Sequence, residues 1–237
     1  LVMNAKTGDI LSYVSLPNFD PNSFNNYSAE KRKNQPISYA YEPGSVFKVF
    51  TISSFMEIGG ITTEDTFFCD GFYPIDAPSG DIEKLQCLGH HGSVTPEKII
   101  QYSCNAGAAY TSETVDKTAF YSMLKNFGFG APTGLPMAGE SIGLLRTPEN
   151  WSYRSKPTIA IGQEVSVTAV QMITAATALA NNGVLLKPHI IKKIVSPEGE
   201  IIQENNRTEV RKVLSETVAK NMLMMMEAST EPEGTAS

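Results

Sequence analysis

One stretch near the start of the chain is apolar on every side of a helix. Between residues 43 and 56 the only charged side chain is Lys48. The apolar side chains of this stretch are Val46, Phe47, Val49, Phe50, Ile52, Phe55 and Met56. Pro43 suits a helix start, and Gly59 and Gly60 suit a helix end. Because a helix that is hydrophobic all round is buried, the pattern predicts a buried helix that encloses one lysine.

The remaining pattern predicts helices placed between strands. Predicted helices run from near Thr95 to about Tyr102, from about Asp116 to Phe127, from Thr168 to Asn181, and from Ser215 to about Glu227. Predicted strands are a hairpin within 1–14, a strand at 158–161, the start of a strand at 184–186, and a hairpin of 190–195 with 200–203. Residues 18–38, 61–92 and 129–157 are predicted to be mostly irregular, with short strands in 61–92. This order predicts an α/β fold of the α+β type, a sheet covered by helices, rather than alternating βαβ units.

Composition narrows the classes of protein that fit. The chain has 237 residues, of which 41% are hydrophobic and 19% charged, which is typical of one large globular domain or two small ones. The net charge of −6 argues against a nucleic-acid partner, and the basic run at 31–33 is too short to change that. No stretch reaches the length of a membrane span, and no signal peptide opens the chain. Because the sequence starts at Leu1 without an initiator methionine, we expect it to be excised from a longer protein.

Ser45 and Lys48 are candidate catalytic residues at the start of the buried helix. Side chains three residues apart share a helix face, so the hydroxyl and the amine are expected to meet. Burial disfavours the charged form of a lysine and lowers its pKa. A neutral amine beside a hydroxyl is a general base beside a nucleophile. The helix N-terminus adds backbone N–H groups that suit the oxyanion formed when Ser45 attacks a carbonyl.

The spacing alone leaves a structural alternative open. Ser-x-x-Lys occurs three times, at Ser28/Lys31, Ser45/Lys48 and Ser122/Lys125. The first lies in a polar loop, and the third faces away from the apolar stripe of its predicted helix. Only the middle pair joins a helix start to a buried lysine. By this pattern alone, a structural polar pair explains it as well as a catalytic pair does.

Several short motifs together resemble class B penicillin-binding proteins. Residues 41–48, Tyr-Glu-Pro-Gly-Ser-Val-Phe-Lys, resemble the first catalytic motif of that family, and Ser103-Cys104-Asn105 resembles the second. Further matches are Phe19-Asp20-Pro21-Asn22, His91-Gly92, Ile161-Gly162-Gln163, Val167-Thr168 and Ala180-Asn181-Asn182-Gly183. They follow the order of the family over nearly the whole chain, and together they favour the catalytic interpretation of Ser45.

The resemblance implies a fold and a further motif. It implies the fold of penicillin-binding proteins and serine β-lactamases, with an antiparallel sheet covered by helices. One transpeptidase domain would span 1–237, with a mainly helical and loop-rich part at about 61–166. The third motif, Lys-Thr-Gly, is expected on a strand shortly downstream of Ser237, so the chain by itself is expected to be an impaired enzyme. Lys6-Thr7-Gly8 matches that motif literally but precedes the nucleophile, and we expect it to be a hairpin turn.

The resemblance also implies a reaction and its residues. Ser45 would attack the penultimate D-alanine carbonyl of a peptidoglycan stem peptide, and Lys48 would take the hydroxyl proton. Ser103 would relay a proton to the leaving amine, and Asn105 would hydrogen-bond the substrate peptide or the lysine. No cofactor and no metal are implied. Ser103 and Asn105 also have an alternative role, because Ser and Asn often cap helices.

The implied partners belong to the bacterial cell wall. They are the D-Ala-D-Ala donor peptide, an amine acceptor from a second stem peptide, β-lactams as inhibitors, and membrane proteins of the division or elongation machinery. The implied location is the periplasmic face of the inner membrane, with an anchor outside this chain. Two alternatives stay open: a serine β-lactamase or β-lactam sensor, and a non-catalytic scaffold module of the cell-wall synthesis machinery.

The three cysteines raise a separate question. Cys69 and Cys87 could form a disulfide in an oxidising compartment. With His90 or His91 and Asp81 they could instead bind zinc, but the spacings match no tight ligand motif. We therefore rank zinc behind a disulfide and behind free thiols. Cys104 is expected to be a packed thiol.

Overall fold

Helices and short strands follow one another irregularly along the chain. The computed structural model describes residues 1–236. Its α helices are α1 (Gln35–Ser38), α2 (Lys48–Glu57), α3 (Pro96–Gln101), α4 (Asn105–Glu113), α5 (Lys117–Asn126), α6 (Ser155–Ala160), α7 (Ala169–Ala180) and α8 (Glu216–Ala228). Short 3₁₀ helices cover Pro21–Asn26, Gly44–Phe47 and Pro148–Asn150. Within the described residues, no helix has the length and apolar character needed to cross a membrane.

The strands pair two by two. They are β1 (Val2–Met3), β2 (Ile10–Ser12), β3 (Phe67–Cys69), β4 (Phe72–Asp76), β5 (Ile82–Gln86), β6 (Gly92–Val94), β7 (Val184–Leu186), β8 (Lys193–Val195), β9 (Ile201–Glu204) and β10 (Glu209–Lys212). The pairs, all antiparallel, are β1 with β2, β3 with β6, β4 with β5, β7 with β10, and β8 with β9. This mixture of helices and paired strands confirms the predicted α/β class. Ser237, which ends the segment expected to lead into a further strand, lies outside the described residues.

Helix α2 lies at the centre of the hydrophobic core. A cluster of aromatic rings packs on it, with centroids of contacting pairs 4.9 to 6.4 Å apart. Its members are Phe47, Phe50, Phe127 and Phe129. Such ring pairs contribute about 0.5–1.5 kcal/mol each beyond the area they bury. The packing fixes the helix, and with it the direction of the polar side chains at its N-terminal end.

Most of the predicted elements are confirmed. The N-terminal hairpin turns within residues 4–9, and the β8–β9 hairpin lies where the pattern places it. Thr168 begins α7 with a capping box in which Gln171 is the partner. Asp116 and Ser215 cap α5 and α8 through their side chains. Local capping chemistry therefore predicts these helix starts correctly.

The strand predicted at 158–161 is wrong. Residues 158–160 belong to helix α6, and Ile161 is its C-terminal cap. A short apolar run bounded by loops does not distinguish a buried strand from a buried helix. Ile159 and Ala160 are almost completely buried, and α6 packs on α4. This tertiary burial, which the local pattern does not contain, decides in favour of the helix.

The sequence pattern also does not predict α4 and β10. The start of α4 is a run of small residues, Ala106-Gly107-Ala108-Ala109, with no apolar stripe. A Cβ at Gly107 would meet the Ile99 side chain at 2.6 Å, so the small residues allow close packing of α4 on α3. Strand β10 is mostly charged and exposed, and only its pairing with β7 makes it a strand.

Candidate active site

Ser45 and Lys48 lie side by side at the start of α2. Ser45 belongs to the 3₁₀ turn that leads directly into the helix, and Lys48 is the first residue of α2. The Lys48 Nζ lies 2.8 Å from the Ser45 Oγ. Only 1% of Lys48 is exposed, as predicted, whereas Ser45 is exposed. The site therefore joins a desolvated amine to a hydroxyl that a ligand can reach.

The end of α3 turns Ser103 towards this amine. The Ser103 N–H donates to the Ile100 carbonyl at 3.2 Å, and the next N–H along the chain donates to the Ile99 carbonyl at 3.0 Å. These are the two bonds of a Schellman helix end, in which the residue after the cap has a left-handed backbone. Ser103 takes that position with a φ of 53°. Its carbonyl oxygen and its Oγ then lie 3.0 Å and 3.1 Å from the Lys48 Nζ.

Asn105, the first residue of α4, completes the contacts of the amine. Its Oδ1 lies 2.6 Å from the Lys48 Nζ, and its Nδ2 donates to the Gln86 carbonyl at 3.0 Å. The second contact fixes which side of the amide faces the lysine. The side chain that caps α4 is that of Cys104, which accepts from the Gly107 N–H. Helix capping therefore does not account for the side-chain contacts of Ser103 and Asn105.

The oxygen atoms around the Lys48 amine can serve both its ammonium form and its neutral form. The Ser103 carbonyl oxygen and the Asn105 Oδ1 can only accept hydrogen bonds, whereas the Ser45 and Ser103 hydroxyls can donate or accept. A neutral amine has two N–H groups for the two acceptors and a lone pair that accepts from a hydroxyl. Burial lowers the pKa of Lys48 to about 8, although the nearby thiols act in the opposite direction. A fraction of the protein therefore holds this lysine neutral near pH 7.

A glycine contact braces the backbone just before Ser45. The Gly44 N–H donates to the Gly162 carbonyl at 2.9 Å. Gly162 has a φ of +80°, and a Cβ there would lie 2.1 Å from the Gly44 carbonyl oxygen. The Glu42 carboxylate accepts from the Glu164 N–H at 2.9 Å. The segment after α6 therefore fixes where the helix with the nucleophile begins, a role that the family match at 161–163 did not specify.

A cavity of about 380 Å³ opens beside the two serines. Its lining includes Ser45, Lys48, Ser103, Met226, Thr230 and Thr235. Small-molecule sites commonly have volumes of about 300–1,000 Å³. The cavity is therefore large enough for a small ligand to meet the Ser45 hydroxyl.

Other matches to the motifs lack this arrangement. The Ser122 hydroxyl donates to the Thr118 carbonyl, and the Lys125 amine donates to the Gly130 carbonyl. The hydroxyl and the amine of this pair thus each bond to a nearby backbone oxygen rather than to each other. The literal Lys-Thr-Gly at 6–8 forms the turn of the N-terminal hairpin, as predicted. Ser45 with Lys48 is the pair that meets the second motif.

The cysteines do not follow the order of preference drawn from the sequence. Cys69, Cys87 and Cys104 are free thiols, so the disulfide between Cys69 and Cys87 is not formed. All three converge on the ring of His91, beneath the second motif. Cys104 is completely buried, as expected of a packed thiol, and it lies within this group.

The other zinc ligands considered from the sequence lie elsewhere. His90 is exposed and contacts the Asp70 carboxylate at 3.1 Å. Asp81 lies at the tip of the β4–β5 hairpin, where it accepts from Ser79. His91, in contrast, stacks on Tyr102 with ring centroids 5.6 Å apart. His90 therefore lies at the surface, whereas His91 is partly buried beside the cysteines.

The whole chain matches one known protein family. A family model described as the penicillin binding protein transpeptidase domain matches residues 1–237. Stage V sporulation protein D of Bacillus subtilis is 32% identical over 240 residues, which cover 99% of this chain and 36% of that protein. Penicillin-binding protein PbpB of Mycobacterium tuberculosis is 31% identical over 231 residues, which cover 96% of this chain and 33% of that protein. The chain thus spans about a third of the length of these relatives.

Solved structures show the same relationship. Penicillin binding protein 3 of Mycobacterium tuberculosis, complexed with aztreonam, superposes with a TM-score of 0.80 at 30% identity, over 94% of this chain and 49% of that one. A protein of Burkholderia ambifaria described as a peptidoglycan glycosyltransferase superposes with a TM-score of 0.80 at 25% identity, over 98% of this chain and 66% of that one. These matches confirm the resemblance to class B penicillin-binding proteins and the fold that it implies. The chain belongs to the penicillin-binding protein transpeptidase domain family.

Proposed function

We propose that the chain is the catalytic domain of a peptidoglycan D,D-transpeptidase. The observation that carries the proposal is the buried Lys48 amine, which contacts Ser45, Ser103 and Asn105 at once. Relatives in Neisseria are named probable peptidoglycan D,D-transpeptidases, and the relative from Neisseria flavescens is 28% identical over 99% of this chain. These names favour transpeptidation over the β-lactamase, sensor and scaffold alternatives.

Acylation begins when Lys48 takes the Ser45 proton. The Ser45 Oγ bonds to the carbonyl carbon of the penultimate D-alanine, and the carbonyl oxygen becomes an oxyanion. The Ser45 N–H lies in the first turn of its helix, where N–H groups have no intrahelical acceptor, so it serves as one donor to that oxyanion. The C–N bond then breaks, and the leaving amine of D-alanine receives the proton from Lys48 through the Ser103 hydroxyl. The products are an acyl-enzyme and free D-alanine.

Transfer to the second stem peptide reverses these proton movements. The acceptor amine attacks the ester carbonyl and gives a proton to Lys48 through Ser103. The ester bond breaks, and the proton passes from Lys48 to the Ser45 Oγ. Asn105 keeps the lysine in place through its Oδ1 and contacts the substrate peptide. A peptide crosslink forms, and the enzyme returns to its starting state.

The substrates, partners and location of the protein follow from this reaction. The donor is a stem peptide that ends in D-Ala-D-Ala, and β-lactams acylate the same serine. Structures of the Mycobacterium tuberculosis relative with aztreonam and with ampicillin support the second statement. Peptidoglycan lies outside the inner membrane, so we place the domain there, anchored by a segment outside this chain. Membrane proteins of cell division or elongation are the proposed partners.

Labelled penicillin tests this function directly. The protein that carries this chain is incubated with a fluorescent penicillin, digested, and analysed by peptide mapping. We expect stable label on Ser45, and the Lys48→Met variant should acylate about 10²–10⁴ times more slowly because it lacks the general base. Ser122→Ala, which changes the unrelated Ser-x-x-Lys match, is the matched control and should react at the unchanged rate. Label that is rapidly lost from Ser45 would indicate a β-lactamase, and label on no serine would contradict the proposal.

A further inference from the structure

We propose that Cys69, Cys87, Cys104 and His91 form a zinc-binding site. Their four potential ligand atoms all lie within 4.8 Å of one another. Cys69 ends β3, Cys87 follows β5, His91 precedes β6, and Cys104 precedes α4. The ligands thus come from three separate segments, because Cys87 and His91 share the connection between β5 and β6, and this is why the sequence spacing does not resemble a zinc motif.

Three of the six distances between the ligand atoms match those of a tetrahedral zinc site, and all six lie within 4.8 Å. With Zn–S near 2.3 Å and Zn–N near 2.05 Å, a tetrahedron requires S···S separations of about 3.8 Å and S···N separations of about 3.5 Å. The Cys87 and Cys104 sulfurs lie 3.7 Å apart. The His91 Nδ1 lies 3.6 Å from the Cys69 sulfur and 3.5 Å from the Cys87 sulfur. Each of these three separations agrees with the tetrahedral value within about 0.1 Å.

The backbone around the cluster suits thiolates. The Asn105 N–H donates to the Cys87 sulfur at 3.2 Å, and the Gly107 N–H donates to the Cys104 sulfur at 3.2 Å. Such N–H groups around metal-bound sulfur orient the ligands and stabilise their negative charge. The Gly107 N–H bond also caps α4, whereas the Asn105 N–H bond to Cys87 is one that the packing of a small hydrophobic side chain does not need.

The cluster is enclosed, as structural zinc sites are. Cys69 and Cys104 are at most 1% exposed, and Cys87 and His91 are partly buried. Three thiolates and one imidazole complete a four-coordinate site with no open position. We therefore assign the metal a structural role, and we route no step of the reaction through it.

The site lies directly under the second motif. Cys104 stands between Ser103 and Asn105, and Cys87 follows Gln86, whose carbonyl holds the Asn105 amide. A zinc ion at this place ties together the two segments that orient Asn105. Asn105 in turn contacts Lys48, so the importance of the zinc ion for the reaction rests on the proposed function. The existence of the zinc site does not rest on it.

Metal analysis tests the site independently of any activity. The protein is purified under reducing conditions, equilibrated with zinc chloride alone, and freed of loosely bound metal, and zinc is then measured by mass spectrometry. We expect about one zinc ion per chain. Cys69→Ser and His91→Ala should each weaken zinc binding by at least the roughly 10–100-fold that changes around zinc ligands cost. His90→Ala, one residue away and outside the cluster, is the matched control and should bind zinc like the unchanged protein.

Cobalt substitution supplies a second readout in case a variant fails to fold. The unchanged protein, stripped of zinc and loaded with cobalt chloride, should show thiolate-to-cobalt charge-transfer bands and the strong visible bands of tetrahedral Co²⁺. Bound metal should also protect all three cysteines from alkylation. The proposal is overturned if the reduced protein binds no stoichiometric metal, if its cobalt spectrum lacks thiolate bands, or if Cys69→Ser and His91→Ala retain unchanged affinity. A disulfide between Cys87 and Cys104 under the same reducing conditions would also overturn the proposal. It would show as a protein mass lower by two hydrogen atoms.

Discussion

At the scale of the residue, Ser103 shows how the backbone serves the site. A left-handed backbone costs an L-residue about 1–2 kcal/mol, and Ser103 has a φ of 53°. Glycine, which adopts this backbone without the penalty, is the usual residue at such a helix end. A serine at this place carries the cost but adds a hydroxyl that contacts the Lys48 amine, which glycine would not provide. Strained residues of this kind persist where the surrounding structure holds them.

Replacement of Ser103 should separate stability from activity. Ser103→Gly removes the strain and the hydroxyl, whereas Ser103→Ala removes the hydroxyl alone. We expect the free energy of unfolding of the glycine variant to be about 1 kcal/mol higher than that of the alanine variant. The reason is that relief of backbone strain outweighs the conformational entropy that glycine adds to the unfolded chain. Both should be acylated by penicillin at least about 10²-fold more slowly. Urea denaturation and stopped-flow fluorescence measure the two effects, and a glycine variant with unchanged acylation would remove Ser103 from the proton relay.

At the scale of the element, the start of the helix depends on a contact from a distant segment. Gly44 and Gly162 meet backbone to backbone, so neither the 3₁₀ turn nor the segment after α6 can move without the other. The capping residues of α5, α7 and α8 could be predicted from sequence because each cap is made by neighbours in the chain. The contact between Gly44 and Gly162 could not be predicted, because the two glycines lie 118 positions apart in the sequence.

Alanine at Gly162 should disturb both stability and acylation. A Cβ there would lie 2.1 Å from the Gly44 carbonyl oxygen, and the φ of +80° adds strain. Gly80 is the matched control, because its φ is +88° but nothing lies within 4 Å of the added Cβ. Gly80→Ala should cost about 1–2 kcal/mol of unfolding free energy, with unchanged acylation. Gly162→Ala should lower the unfolding free energy by more than this and should also slow acylation, as measured by urea denaturation and penicillin labelling. Equal effects of the two changes would contradict the proposal that the Gly44–Gly162 contact positions Ser45.

At the scale of the whole molecule, the motifs shared with penicillin-binding proteins could be predicted because the sequence shows their order along the chain directly. The burial of Lys48 could also be predicted, since the apolar side chains on all sides of α2 lie within one stretch of sequence. The cysteine cluster could not, because its ligands come from three separate segments that meet only after the strands and α4 are packed. For the same reason the sequence offers His91 only as one of several possible partners of Cys69 and Cys87, and it gives no signal that Cys104 joins them.

The whole account depends on one buried lysine whose lowered pKa makes its neutral form available near pH 7. The other lysines of the chain lie closer to solvent than Lys48. Because the neutral form is the base, penicillin acylation should rise as the pH increases towards about 8 and level off above it. This rise should vanish in Lys48→Met.

The most direct measurement is a pH titration of the Lys48 side chain by NMR. Lysine labelled with ¹³C at Cε is introduced into the protein, and the Lys48 signal is assigned by its loss in Lys48→Met. The account predicts a midpoint at about pH 8, below the 10.5 of an ordinary lysine, because burial destabilises the ammonium form. A Lys48 signal with a midpoint near the ordinary lysine value of 10.5 would contradict a buried lysine base and, with it, the proposed role of Ser45.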